Sequence, residues 1–135
     1  MTPRQRAGSM IDQKIQVQHI SKTFELGSER FDALGDVSLT VRENEFITVV
    51  GPSGCGKSTL MNILSGLEEP TSGTAHVDGI EVDGPSPERG VIFQQYALFP
   101  WLTVRQNVEF GLKTAKVPAV ERRERAQHFI DMVAL

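Results

Sequence analysis

The stretch Gly51-Pro-Ser-Gly-Cys-Gly-Lys-Ser58 decides the reading of this chain. It fills every fixed position of G-x-x-x-x-G-K-[ST], and it stands between an apolar run, Phe46-Ile-Thr-Val-Val50, and a segment of helical period. Gly51, Gly54 and Gly56 permit backbone angles that turn successive amides inward and leave no side chain between them and a phosphate. A helix beginning at Lys57 adds its positive N-terminal end. Lys57 is expected to reach the β- and γ-phosphates of a nucleotide as a point charge, and Ser58 to offer its hydroxyl to Mg²⁺. Thr59 supplies a second hydroxyl near the α-phosphate. Together with Ser53 and Cys55, these residues form the candidate nucleotide cradle. Cys55 occupies a free position of the pattern, so alkylating it is expected to block nucleotide by intrusion.

Working outward, 46–50 reads as a strand buried on both faces, as in a parallel sheet covered by helices. Before it, Ile15, Val17 and Ile20 suggest one half-exposed strand, and Val37, Leu39 and Val41 a second. The polar stretch from Ser21 to Arg30 reads as a turn or loop. After the phosphate loop, Leu60, Ile63, Leu64 and Leu67 share one helix face, and Glu68 to Gly73 stop it. Asp78-Gly79 predicts a tight hairpin between 74 and 82, and residues 90–93 read as another buried strand. Thr103 and Gln106 have capping-box spacing for a helix start. A last helix begins near Pro118 and carries Ala126, Phe129, Ile130 and Val133 on one face. Residues 1–13 read as a leader without periodicity, and residues 14–135 as the folded part.

Composition agrees with a soluble domain. Of 135 residues, 39% are hydrophobic and 23% charged, with a formal charge of -3. That balance argues against a disordered tail and against nucleic-acid binding by bulk charge. No apolar run approaches the roughly 18 residues of a membrane span. A single cysteine excludes an intrachain disulfide framework and a cysteine-cluster zinc site.

The phosphate loop alone does not separate GTPases, kinases and transport ATPases. Its neighbours do. Half-exposed strands before the loop, a hairpin after its helix, and Val91-Ile-Phe-Gln-Gln-Tyr-Ala-Leu-Phe-Pro-Trp-Leu-Thr-Val-Arg-Gln-Asn-Val108 together resemble the ATP-binding subunit of an ABC transporter. The resemblance runs from about Ile15 to Leu135. It implies an α/β fold, with a P-loop nucleoside triphosphate hydrolase core and an N-terminal antiparallel β subdomain. It also implies that Phe24 stacks on adenine, with Phe31 the rival. Gln94 corresponds to the Q-loop glutamine that contacts Mg²⁺ and the attacking water, with Gln95 the competing position. Lys57 and Gln94 are thus the expected catalytic residues, Ser58 and Gln94 the expected metal contacts, and ATP with Mg²⁺ the expected ligands.

The apolar segment 96–101 is expected to help form a groove for a transmembrane permease subunit. Its Phe-Pro-Trp-Leu-Thr-Val wording is most similar to importers of nitrate, sulfonate and taurine; ion and polyamine importers carry close variants. The resemblance further implies a second ATP-binding subunit, an indirect solute-binding partner outside the membrane, no nucleic acid, and a peripheral place on the inner face of the cell membrane.

Hydrolysis in this family needs an apolar strand ending in Asp-Glu. Asp78, Asp83 and Asp131 do not meet that pattern, and the Leu-Ser-Gly-Gly-Gln signature is also absent. Leu64-Ser-Gly66 copies only its first letters. The expectation is a chain truncated before the signature and Walker B segments, which grips ATP and does not split it alone. The competing readings are a non-catalytic nucleotide-binding module and an ABC-related soluble factor of the ribosome or DNA repair. The near-neutral charge and the Phe-Pro-Trp segment weigh against the latter.

Overall fold

The computed structural model describes residues 13–134 except Tyr96. The expected leader therefore lies outside the described residues, apart from Gln13, as does Tyr96 of the apolar segment. Two compact units divide the chain after Val91.

The first unit is built on a long hairpin. Strand β1, Gln13–Leu26, pairs antiparallel with β2, Glu29–Arg42, from Gln13↔Arg42 to Leu26↔Glu29. The ladder continues through the polar stretch that the sequence reads as a loop. Thr23 Oγ1 donates to Asp32 Oδ1 at 2.7 Å, Phe24 faces Phe31, and Glu25 faces Arg30. Cross-strand partners stabilise strand here where the local hydrophobic pattern is weak. The turn shrinks to Gly27-Ser28, with Gly27 at φ +65°.

Helix α1, Lys57–Ser65, follows the phosphate loop and ends at Gly66, whose left-handed φ of +79° closes the last turn. Strands β3, Ser72–Val77, and β4, Ile80–Glu81, complete an antiparallel sheet of order β2-β1-β3-β4. Asp78 and Gly79 both take positive φ, as the expected tight hairpin turn requires. Val17, Ile20, Leu34 and Ala75 from the sheet pack with Leu60 and Ile63 of α1 to make the core. An irregularity in β1 between Val17 and Ile20, where His19 takes a φ of +51°, brings residues of odd spacing onto this face. The i, i+3 pair Leu60 and Ile63 supplies the facing side of α1.

Two expected strands do not form. Residues 46–50 are irregular, with Phe46 91% and Val50 86% exposed. Residues 90–93 are also irregular, and Ile92 is fully exposed. A buried parallel strand exists only with neighbours on its edges and helices on its faces. Among the described residues, no strand pairs with either run.

The second unit is a helical hairpin of α2, Val104–Thr114, and α3, Ala119–Met132. Thr103 caps α2 as expected: its hydroxyl accepts from the Gln106 amide, and the Gln106 side chain accepts from the Thr103 amide. Pro118 is the N-cap of α3, one position before the first turn. Ala126 and Ile130 are buried, whereas Phe129 and Val133 of the expected apolar face are mostly exposed. A nearly buried ion pair, Arg122 Nε to Glu109 Oε2 at 3.1 Å, joins the two helices.

Candidate nucleotide site

The phosphate loop turns at Gly54 and Gly56, with φ of +81° and +91°. Both lie in the left-handed region that a side chain disfavours. Gly56 has a second reason to be glycine, because an added Cβ would overlap the Ala33 carbonyl oxygen and approach Leu34 Cδ2 at 2.6 Å. The loop thus rests directly on β2. Gly51 differs from the expectation: its φ is not positive, and space restricts it instead. A Cβ there would come within 2.6 Å of Cys55 Sγ.

Lys57 folds back over this turn. Its Nζ donates to the carbonyl oxygens of Gly51 at 2.8 Å and Pro52 at 2.7 Å, and lies 3.5 Å from Cys55 Sγ. No side chain caps the start of α1 and no acidic residue occupies its first turn. The first turn of the helix therefore offers no carboxylate to its own positive end, which favours an anion there. Ser53, Cys55 and Ser58 are exposed and Thr59 is half-buried.

Phe24 and Phe31 are cross-strand partners near the hairpin tip, so they share one face of the sheet. Phe24 is half-buried and Phe31 is 54% exposed. Gln94 and Gln95 belong to the second unit, where both are exposed in irregular backbone beside Phe93. In the same unit Leu98 and Trp101 are exposed, and Phe99 packs against Phe110 with ring centroids 4.5 Å apart.

Two residues with structural weight escaped the sequence reading. Lys22 and Asn107 carry no pattern of their own; each acts through groups distant in sequence or through backbone carbonyls. Asn107 Oδ1 accepts from the Phe99 amide, and its Nδ2 donates to the carbonyls of Phe99, Leu102 and Thr103. It holds the loop that leads into α2.

The sequence profile described as ABC transporter matches residues 34–135. The chain belongs to the ABC transporter family. An uncharacterised ABC transporter ATP-binding protein of Methanocaldococcus jannaschii is 52% identical over 90% of this chain and 46% of its own length. The nitrate import ATP-binding protein of Synechocystis is 50% identical over 76% of this chain and 39% of its own. The chain therefore spans less than half the length of these curated relatives. A solved ABC cassette, dimeric and bound to ADP and phosphate, superposes with a TM-score of 0.79 at 35% identity, over 90% of this chain and 57% of that one. This ABC chain accordingly has the fold of part of an ABC ATPase cassette, with an antiparallel β sheet packed on the helix that follows the phosphate loop.

Proposed function

We propose that residues 14–135 form the first part of an ATP-binding domain that serves an ABC importer, and that they hold the phosphates of ATP on the loop Gly51–Ser58. The observation that carries this reading is the loop itself. Positive-φ glycines seat its backbone against β2, a lysine ammonium lies across it, and the helix start behind it is uncapped. Among the described residues, no group of three His, Cys, Asp or Glu side chains could hold a metal. Mg²⁺ would enter with the nucleotide, on phosphate oxygens and water, with the Ser58 hydroxyl as a protein contact. Such a mixed shell suits an ion that keeps much of its water. Its chemistry there is to neutralise phosphate charge.

Within this reading Phe24 stacks on the base and Lys57 contacts the β- and γ-phosphates. Splitting the γ-phosphate also needs a positioned carboxylate, for which the sequence has no Asp-Glu at the end of an apolar run. The chain alone binds MgATP without turning it over. The whole protein would pair with a second ATP-binding subunit and a transmembrane permease, on the inner face of the membrane. No described helix is long and apolar enough to cross a bilayer. A nitrate, sulfonate or taurine-like anion is the favoured solute, supported by Phe99-Pro-Trp-Leu-Thr-Val104 and by the nitrate import relative.

The test is calorimetric titration of the 135-residue chain with MgATP, beside Lys57→Ala. Binding by the parent and its loss in the variant are expected. Retained tight binding in the variant overturns the site, and steady ATP turnover by the chain overturns the claim that it only binds.

A further inference from the structure

The segment after α1 returns to β1 immediately before Phe24, and Lys22 is where it fastens. Lys22 Nζ lies 2.5 Å from Glu68 Oε1 and donates to the Glu69 carbonyl oxygen at 2.7 Å. The same ammonium stands 4.9 Å from the centroid of the Phe24 ring. Next to it, the Thr23 amide donates to Thr71 Oγ1 at 3.0 Å and the Thr71 amide donates to the Ser21 carbonyl oxygen at 2.8 Å. The Lys22 side chain is only 13% exposed, so water and salt screen this pair less than an open surface pair.

The register shows what the clasp joins. Lys22 faces Leu34 across the hairpin, and Leu34 and Ala33 are the residues against which Gly56 rests. Phe24 faces Phe31, about 10 Å further along β2 from Leu34 at the usual rise per strand residue. Lys22 therefore stands level with the phosphate loop, and the ring it touches lies toward the tip. Its ammonium takes one face of that ring, so a flat heterocycle that stacked there would take the other.

We propose that Lys22 is a positioning residue for the base end of the nucleotide site, held by Glu68 and Glu69 so that it fixes the Phe24 ring relative to the helix that begins at the phosphate loop. This rests on the reading that Phe24 stacks on the base. Lys22 itself touches no phosphate. Its removal costs base recognition and spares phosphate recognition.

The experiment compares MgATP with inorganic tripolyphosphate, which has no base, on the full chain and on Lys22→Met, Lys22→Arg, Glu68→Gln, Phe24→Ala and the Lys22→Met/Phe24→Ala double variant. Lys22→Met is expected to weaken MgATP about five-fold or more and leave tripolyphosphate within about two-fold. Lys22→Arg, which keeps charge and clasp, restores MgATP binding. On the Phe24→Ala background, Lys22→Met has no further effect. Parental MgATP affinity in Lys22→Met, an equal loss of tripolyphosphate, or additivity with Phe24→Ala overturns the proposal. Parental MgATP affinity in Phe24→Ala overturns the stacking reading itself, whereas a weak Phe24→Ala beside a normal Lys22→Met overturns only the role of Lys22. Circular dichroism checks each fold. If Lys22→Met does not fold, Glu68→Gln, which keeps the lysine and loosens its anchor, is read by the same outcomes.

Discussion

Gly56 lies so close to Ala33 that a Cβ on the glycine would overlap the alanine carbonyl oxygen. Gly54, two residues earlier, shares the positive φ and has open space around its Cβ position. The two glycines therefore separate backbone strain from collision. Gly54→Ala should cost about 1–2 kcal/mol, the usual left-handed penalty. Gly56→Ala should cost more than that, at least about 3 kcal/mol, because the loop must also lift off β2. Urea midpoints of the two variants measure the difference, and equal midpoints would contradict it.

Asn107 ties the Phe99–Thr103 loop to α2 through one accepted bond and through two Nδ2 protons shared among three carbonyls. Asn107→Ala strands the partly buried Phe99 amide, which should cost about 1–3 kcal/mol. Faster amide exchange at Phe99 and Leu102, with the rest of α2 retaining its protection, is the expected signature.

Cys55 Sγ sits beside Lys57 Nζ and over Gly51. An alkyl group on this exposed sulfur enters the space inside the loop. Full alkylation should abolish MgATP binding, while Cys55→Ser should bind MgATP and be indifferent to the reagent. Unchanged binding by the fully alkylated parent would remove the steric argument.

A hydrogen bond from Lys14 to Asp78, opposed by desolvation and helped by the charges of Asp78, Glu43 and Glu88, raises the Lys14 ammonium above the ordinary lysine value of 10.5. A folded pKa above the unfolded one stabilises fully below the unfolded value and fades as pH rises through the folded value. Asp78→Asn should thus lower the thermal midpoint slightly at neutral pH, and the gap to the parent should narrow above about pH 10.5. A gap that stays constant through this range would show that Lys14 is not its source.

Legibility followed the range of the interactions. The phosphate loop, the Asp78-Gly79 turn and the Thr103 cap were readable because a few adjacent residues determine each one. The tip of the β1–β2 hairpin was not, since Thr23 and Glu25 become strand only through Asp32 and Arg30 on the other arm. Phe46-Ile-Thr-Val-Val50 reads as a buried strand and is irregular for the converse reason. Its apolar content describes the surroundings such a strand needs, and no described strand provides them. The site divides in the same way: Lys57 announces itself by motif, while Lys22 owes its place to Glu68 and Glu69, over forty residues away.

The Lys57 ammonium already spends two of its protons on the carbonyls of Gly51 and Pro52. A phosphate that takes more than the third proton must displace one of those carbonyls, so recognition here is in part an exchange of acceptors. Part of the affinity a titration reports is then the preference of one ammonium for a charged oxygen over neutral ones. A substitution that loosened those carbonyls would tighten nucleotide binding without touching the nucleotide.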